Sequence, residues 1–287
     1  MRVAIVGCGE VGSAYARAAV EAGWQVAVVD PRPTAASVEL AAELGISTWR
    51  QAGPEALAAV DRVWICVTGE AAKSVFCDAL AHLPASAVVV DLTTAAAADK
   101  RECDRMARAA GRAYVDVVIM GAVAITGART PLLGAGPGVE LVLAEFEALG
   151  ARVRALQDAQ PGDAATIKLL RTILTKGLES LAVECLVAAE REGVRELLYE
   201  VMSDVDEMGF VPFLNMLVQT HVQHAGRRLL EVRRAQIQLA EMGSESVVLP
   251  GCEARFARTV ETMNAAPPSP AGSSSVAAAI ERLLGRG

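Results

Sequence analysis

The sequence is poor in aromatic residues, in histidine and in positive charge. Aromatic residues make up 4% of the 287 positions, three residues are histidine, and the formal net charge is -7 at pH 7. Few aromatic side chains argue against a stacking surface for single-stranded nucleic acid. The acidic balance argues against a broad surface for duplex nucleic acid or anionic lipid. We therefore expect neither a nucleic acid nor a membrane as a partner.

Long uncharged apolar runs and paired cysteines are also missing. No stretch of about 20 apolar residues is free of charge, so no membrane-spanning helix is expected. The six cysteines form no Cys-x-x-Cys pair, and most lie inside apolar runs. This usage is typical of small buried side chains in a reducing compartment. The opening apolar run, residues 3–6, is too short and too soon followed by glycine for a signal peptide. A cytoplasmic location is the expectation.

The composition that remains is globular, with 53% hydrophobic and 21% charged residues. In the first half, short β-branched runs alternate with helical patterns. Strands are predicted at residues 3–6, 25–29, 61–67, 87–92, 113–118 and 132–134, and helices at 11–22, 70–82 and 95–110. Such alternation predicts βαβ units and a mainly parallel, doubly wound sheet, which is an α/β Rossmann domain.

The pattern becomes helical from residue 163. The segment 163–192 has no proline and one glycine, Gly177, so it predicts one long helix. Further helices are predicted at 194–208, 211–223, 227–242 and 246–263. We expect an all-α C-terminal domain, residues 161–287, joined by the long helix to a dinucleotide-binding domain, residues 1–160. Residues 264–275, rich in Pro, Ser and Ala, are expected to form a mobile segment before a short last helix.

A glycine-rich loop lies between the first predicted strand and the first predicted helix. Its sequence is Gly-Cys-Gly-Glu-Val-Gly. Gly7 permits a tight turn, Gly9 lets the backbone approach a pyrophosphate, and Gly12 lets the helix pack closely on the strand. Free N–H groups at the start of the helix would hold the phosphates. The expected cofactor contacts in this loop are Gly7, Gly9, Glu10, Val11 and Gly12.

The acidic end of the second predicted strand favours NAD as the cofactor. Asp30 follows the glycines by about 20 residues, where a carboxylate accepts hydrogen bonds from the adenosine ribose and repels a 2′-phosphate. Arg32 could instead pair with that phosphate, so NADP stays possible, although Arg32 could equally be a solvated loop charge. Val67 and Thr68, at the end of the strand predicted at 61–67, are further expected cofactor contacts.

Together with the glycine loop, three later segments resemble the β-hydroxyacid dehydrogenase family over the first 190 residues. Residues 91–94 (Asp-Leu-Thr-Thr) are similar to the family's Asp-x-Ser-Thr segment near the nicotinamide. Residues 116–122 resemble its substrate loop, and residues 162–168 resemble its glycine-led segment that ends in the catalytic lysine. Residues 175–179 and 227–231 resemble a less characterised branch of phosphogluconate-dehydrogenase-like proteins with its own helical C-terminal domain.

The resemblance implies roles for the matching residues. Lys168 would be the catalytic acid or base. Thr93 would contact the cofactor and Thr94 the substrate, although both could simply cap the strand end. The substrate loop would contribute Met120, Gly121 and Ala122. Met120 stands where the family has a serine, so it could instead fill a hydrophobic wall. This departure puts the family's usual substrate in doubt and leaves hydride transfer in place.

The spacing of polar residues also singles out the start of the long helix. A single polar stripe is formed by Lys168, Arg171, Thr172, Thr175, Lys176 and Glu179. A solvated face of an amphipathic helix would give the same pattern. Lys168 would be a general acid in carbonyl reduction. In oxidation it would accept the proton, which requires a pKa lowered from about 10.4. Arg171, Thr172 and Lys176 are candidate substrate contacts, the first two where the family has an asparagine.

Two histidines, His221 and His224, stand three residues apart on a predicted helix. No cysteine or carboxylate completes a metal-ligand set at a diagnostic spacing, so no metal is expected. His224, one turn before two arginines, is a candidate substrate contact. The arginines Arg227, Arg228, Arg233 and Arg234 could form a solvated face, dimer-interface ion pairs or an anion-binding surface.

These observations predict an NAD(P)-dependent dehydrogenase or reductase acting on a small β-hydroxy acid or the matching semialdehyde. The substrate would be a small anionic molecule. The resemblance also implies a homodimer, in which the helical domain of one subunit helps to close the cleft of the other. Two alternatives stay open. One is an imine reductase on the same architecture, whose members often lack the lysine. The other is a non-catalytic dinucleotide-binding sensor.

Overall fold

The computed structural model describes residues 1–265 and 275–285 of the chain. The chain divides into two compact units, Met1–Ile173 and Leu174–Gly287. This division falls inside the long helix, beyond the boundary predicted after residue 160. Most of the segment predicted at 264–275 lies outside the described residues.

The first unit is built on one eight-stranded sheet. Its strands are β1 Arg2–Val6, β2 Gln25–Val29, β3 Ser47–Trp49, β4 Arg62–Ile65, β5 Val88–Asp91, β6 Ala113–Ile119, β7 Leu132–Ala135 and β8 Val153–Ala155. The strand order is β3-β2-β1-β4-β5-β6-β7-β8. Neighbouring strands are parallel except for the antiparallel pair of β6 and β7. The predicted doubly wound, mainly parallel sheet is therefore confirmed.

Helices connect these strands in the manner of a Rossmann fold. They are α1 Glu10–Glu21, α2 Ala35–Leu44, α3 Pro54–Leu57, α4 Gly69–Leu80, α5 Ala97–Ala109, α6 Val123–Thr126 and α7 Val139–Ala148. The chain runs outward from β1 through β2 to β3 and then returns to place β4 on the other side of β1. In such sheets, ligands bind at the carboxyl ends of the strands where the order reverses. The switch point lies between β1 and β4.

An aromatic cluster fixes α1 and α7 over one face of the sheet. The ring of Tyr15, on α1, meets Trp64 edge to face at 5.9 Å and Phe146 at 5.2 Å. Trp64 stacks on Phe146 with a centroid distance of 4.8 Å, and Trp24 lies 5.9 Å from Trp64. Aromatic pairs of this geometry add about 0.5–1.5 kcal/mol each beyond the area they bury. The cluster thereby anchors the helix that starts at the glycine loop.

The second unit is helical, as predicted. Helix α8, Asp163–Arg191, begins in the first unit, and it is followed by α9 Arg195–Val201, α10 Ser203–Met208, α11 Phe210–Glu241, α12 Leu249–Ala265 and α13 Val276–Leu283. No helix in the described part of the chain is long and apolar enough to cross a membrane.

Two helix boundaries predicted in this unit are wrong. The helices predicted at 211–223 and 227–242 are one continuous helix, α11, because Gly226 takes a helical conformation and the adjacent Ala225 is buried. The helix predicted at 194–208 is interrupted at Met202, between α9 and α10. A single glycine in a helix costs only about 1 kcal/mol, which tertiary packing can offset.

Candidate active site

The glycines of the loop after β1 serve two different purposes. Gly7 has φ +94°, and a Cβ on it would lie 2.7 Å from the carbonyl oxygen of Cys66. A Cβ on Gly12 would lie 2.0 Å from the carbonyl oxygen of Gly7, so both glycines are required by the protein's own packing. A Cβ on Gly9 would meet no atom within 4 Å. This open space at the start of α1 fits a pyrophosphate approaching the backbone.

The carboxylate of Asp30 faces the glycine loop. Its Oδ2 accepts a hydrogen bond from the backbone N–H of Cys8 at 2.9 Å, and its Oδ1 accepts one from the N–H of Arg32 at 2.9 Å. A carboxylate has about four lone-pair sites, so both oxygens can still accept a ribose hydroxyl. The side chain of Arg32 is exposed, and Arg50 donates to the carbonyl of Pro31 at 3.3 Å. Two guanidinium groups therefore lie in the loops next to the acidic strand end.

A cavity of about 310 Å³ opens where the carboxyl ends of β1, β4, β5 and β6 meet. It brings together eight residues predicted to bind cofactor or substrate, namely Glu10, Val11, Val67, Thr93, Thr94, Gly121, Ala122 and Lys168. Four further lining residues, Cys66, Leu92, Ile119 and Val123, were not predicted. Each of these four is the sequence neighbour of a predicted residue, Val123 at the start of α6 and the others at strand ends, and this adjacency was the signal that could have identified them.

Several predicted site residues lie away from this cavity. Thr68 precedes α4, and Met120 packs against the apolar cluster around Val118 and Leu133. Two lie further along α8 on its exposed surface: Arg171 and Thr172. The remaining two belong to the second unit: Lys176 forms an exposed ion pair with Glu179 at 2.6 Å, and His224 lies exposed on α11. Their roles stay predictions.

Thr93 combines a capping contact with a place on the cavity wall. Its backbone N–H donates to Asp91 Oδ1 at 2.8 Å, and its hydroxyl accepts from the N–H of Ala95 at 3.1 Å. In the bond from Ala95 the hydroxyl oxygen is the acceptor, so the hydroxyl proton is left to donate to another group. Thr94 is exposed and lines the same cavity.

Lys168 lies on the cavity wall, in the second turn of α8. Burial lowers the pKa of its ammonium below the ordinary value, and the positive charge of Lys100 lowers it further. The negative charge of Asp116 opposes both effects on this pKa. A lysine with a lowered pKa is suited to general acid–base chemistry, because both of its protonation states are accessible at moderate pH.

A buried ion cluster lies behind the lysine. Lys100 Nζ is 2.7 Å from Asp116 Oδ1 and 3.3 Å from Asp91 Oδ1. The hydroxyl of Tyr114 donates to Asp91 Oδ2. Lys100 was not predicted from the sequence as a site residue. The available signal was the presence of two aspartates inside apolar strands, which require a cation if they are buried together.

No group of three or more histidine, cysteine, aspartate or glutamate side chains within residues 1–265 and 275–285 could hold a metal ion. His221, one of the two histidines considered as metal ligands, lies in the helical unit, with its Nε2 atom 2.8 Å from the Thr259 hydroxyl. Two of the arginines near it form ion pairs, Arg227 with Glu231 and Arg233 with Glu253.

The loop, the acidic strand end and the adjoining cavity place the protein in the class of Rossmann-type NAD(P)-dependent oxidoreductases. Residues 2–155 match the family model of the NAD-binding domain of 6-phosphogluconate dehydrogenase. The chain is 30% identical to a probable 3-hydroxyisobutyrate dehydrogenase of Mycobacterium bovis, over 70% of this chain and 68% of that protein. The chain belongs to the β-hydroxyacid dehydrogenase family.

Solved structures share the fold along most of the chain. A conserved hypothetical protein from Sinorhizobium meliloti 1021 is 25% identical, with a TM-score of 0.62, over 100% of this chain and 96% of that one. A variant imine reductase from Myxococcus stipitatus in complex with NAD+ is 19% identical, with a TM-score of 0.77, over 99% of each chain. An imine reductase from the same organism in complex with NADP+ is 19% identical, with a TM-score of 0.73, over 99% and 100%.

Proposed function

We propose that the protein reduces a small semialdehyde to a β-hydroxy acid, or catalyses the reverse oxidation, with Lys168 as the general acid or base. The observation that carries this proposal is the position of Lys168 on the wall of the cavity at the sheet switch point, beside Thr93 and Gly121. When bound, the nicotinamide supplies the hydride acceptor or donor. Residues of the glycine loop and Asp30 would hold the dinucleotide.

Lys168 would act on the proton that accompanies hydride transfer. During reduction, its ammonium would donate a proton to the carbonyl oxygen as that oxygen gains negative charge. During oxidation, the neutral amine would accept the proton of the substrate hydroxyl. The lowered pKa of Lys168 favours the second role, because more of the amine is neutral at a given pH.

The remaining wall of the cavity favours a short substrate with one anionic group. Leu92, Ile119 and Val123 make part of the wall apolar. In the described part of the chain, Lys168 is the single cation that lines the cavity. A substrate carboxylate would be attracted to the same ammonium that transfers the proton.

The test is the change in nicotinamide absorbance with NADH and NADPH against short semialdehydes, keto acids and cyclic imines. Turnover with semialdehydes or β-hydroxy acids would support the proposal. Turnover with imines alone would replace it with imine reduction. Tight binding of the cofactor without turnover of any substrate would favour a dinucleotide sensor.

Asp30 is expected to give the protein a preference for NADH over NADPH. Asp30→Ala should lower kcat/KM for NADH by roughly 10- to 100-fold, which corresponds to a lost hydrogen bond to a charged group. Asp78→Ala is the matched control, because Asp78 is an exposed aspartate on α4 that does not line the cavity. Steady-state kinetics with both cofactors measure the effect. Equal losses for both cofactors in Asp30→Ala would refute the predicted selectivity.

We further propose that the protein is a homodimer that covers helix α8. Apolar side chains are exposed along this helix, both in the portion that belongs to the first unit and in the portion that belongs to the second. They are Ile167, Leu169, Leu170, Ile173, Leu174, Leu178, Leu181, Val183 and Val187. This many exposed apolar side chains on one helix indicate an interaction site, and symmetric dimers are the commonest assembly.

Sedimentation velocity is expected to give twice the chain mass of 30.0 kDa. Leu178→Glu should weaken the dimer by roughly 100-fold or more, because each interface would bury unpaired carboxylates. Leu141→Glu is the matched control, since Leu141 is 72% exposed on α7 of the first unit. A monomeric native protein would refute the dimer. Equal weakening of the dimer in both variants would show that α8 is not specifically part of the interface.

A further inference from the structure

Two carboxylates stand side by side in the interior of the sheet. Asp91 ends β5 and Asp116 lies in β6, and the two residues are direct partners in the parallel register. Asp91 is 2% exposed and Asp116 is 0% exposed. Two adjacent carboxylates without water cannot both stay ionised unless a cation compensates them.

Lys100 supplies that cation from helix α5. It is 0% exposed, and its ammonium is 2.7 Å from Asp116 Oδ1 and 3.3 Å from Asp91 Oδ1. It also donates to the backbone carbonyl of Asp91 at 3.3 Å. The three hydrogens of the ammonium therefore have acceptors on both strands, and the cluster is held with a net charge of one negative unit.

The second oxygen of Asp116 holds the start of α8. Asp116 Oδ2 accepts hydrogen bonds from the N–H of Gly162 at 2.9 Å and of Ala165 at 3.1 Å. Gly162 has φ +96°, and a Cβ there would lie 2.7 Å from the carbonyl oxygen of Ala97, so α8 starts in close contact with α5. A carboxylate at a helix N-terminus is stabilised by the free N–H groups. Lys168 follows one turn later.

We propose that Lys100 is a positioning residue for Lys168: through Asp116 it fixes the first turn of α8 to the sheet, and it places a buried positive charge behind the reacting ammonium. This inference rests on the proposed acid–base role of Lys168. Lys100 does not line the cavity, and it acts through Asp116 and through its charge. The family resemblance identified Lys168 but gave no role to Lys100.

The charges around Lys168 act on its pKa in opposite directions. Lys100 lowers the pKa of Lys168, whereas Asp116 raises it. Burial raises the pKa of Tyr114 on β6 and of Cys66 after β4, and it raises the pKa of Cys103 on α5 to about 12. The charged groups nearby are the exposed Arg101–Asp163 pair at the start of α8 and Glu10 on the cavity wall, and both variants leave them unchanged. Removing the cation and removing the carboxylate should therefore shift the titration of Lys168 in opposite directions.

Two variants test this, one that conserves the net charge of the cluster and one that removes a carboxylate from it. Lys100→Met combined with Asp91→Asn keeps one carboxylate, Asp116, with its two backbone donors, so the net charge of the cluster is unchanged. Asp116→Asn leaves the Lys100–Asp91 pair intact. Arg105→Gln is the matched control, because Arg105 is a solvent-exposed cation on the same helix that pairs with Glu102. Thermal denaturation of each variant confirms folding before it is titrated.

The readout is the titration of Lys168 itself. The sequence holds four lysines, Lys73, Lys100, Lys168 and Lys176. Reductive methylation with ¹³C-formaldehyde therefore gives few resonances, and Lys168→Arg assigns the one of interest. The midpoint for Lys168 should rise by about one pH unit in the double variant and fall by about one in Asp116→Asn. It should stay unchanged in Arg105→Gln.

Shifts in the same direction in both variants, or an unchanged midpoint in both, would overturn the inference. If Asp116→Asn does not fold, the sign of the shift in the double variant still decides it. If the double variant does not fold, Lys100→Gln combined with Asp91→Asn, which keeps a hydrogen-bonding group at both positions, replaces it. The titration needs neither substrate nor cofactor. Opposite shifts without turnover in the absorbance assay would therefore reject the proposed function and retain the electrostatic coupling. Turnover with unshifted midpoints would retain the proposed function and reject the electrostatic coupling.

Discussion

Lys168→Ala is expected to slow carbonyl reduction by roughly 10²- to 10⁴-fold, the usual contribution of a positioned general acid. The affinity for NADH should change little, because the glycine loop and Asp30 are untouched. Stopped-flow nicotinamide absorbance under single-turnover conditions measures the step directly. Lys73→Ala is the matched control, since Lys73 is an exposed lysine on α4 that lies 3.8 Å from Asp99.

The pH dependence of the native enzyme gives the sign of the same effect. Reduction needs the protonated lysine, so its kcat/KM should fall as the pH rises through the pKa of Lys168. Oxidation needs the neutral amine and should lose rate as the pH falls through that pKa. The midpoint should lie below the ordinary lysine value of 10.5, because burial and Lys100 lower it. A Lys168→Ala variant with the native rate and the native pH profile would exclude the lysine mechanism.

Gly9→Val is expected to weaken cofactor binding strongly while the protein stays folded. Gly9 has φ -77°, which valine can adopt, and its Cβ would enter open space. The branched side chain would occupy the place where the phosphates approach the backbone. The Kd for NADH should rise by roughly 100-fold or more, equivalent to two lost hydrogen bonds to charged phosphate. Calorimetric titration gives the Kd, and thermal denaturation gives the stability.

Gly12→Val provides the contrast within the same loop. A Cβ at this position would lie 2.0 Å from the carbonyl oxygen of Gly7, so α1 could not keep its place against β1. We expect this variant to lose stability and not merely affinity. A Gly9→Val protein that binds NADH normally would show that the phosphates do not lie over the glycine loop.

The sequence allowed the centre of the sheet to be predicted better than its edges. The buried strands β1, β2 and β6 are short β-branched runs between turn residues, and this pattern identified them. Edge strand β3 is partly exposed and has three residues, so neither length nor alternation marks it. The continuity of α11 through Gly226 was hidden for a similar reason. Local propensity favours a break there, and only packing in the helical unit overrides it.

The site shows the same division between local and non-local information. The glycine loop, Thr93 and Lys168 belong to contiguous motifs, so the sequence was enough to make them candidates. Lys100 belongs to no such motif. In the sequence, a lysine in an amphipathic helix cannot be distinguished from a solvated charge unless the register of β5 and β6 is known. Once Asp91 and Asp116 are paired, a cation at this position is an electrostatic requirement.

The aromatic cluster beneath the glycine loop has a spectroscopic consequence. All three tryptophans, Trp24, Trp49 and Trp64, lie in the first unit, and two of them belong to that cluster. Tryptophan fluorescence, excited selectively over that of tyrosine, therefore reports on the nucleotide-binding unit alone, whereas far-ultraviolet circular dichroism reports on the helices of both units. Comparing the two signals during denaturation shows, without any introduced label, whether the two units unfold together or separately.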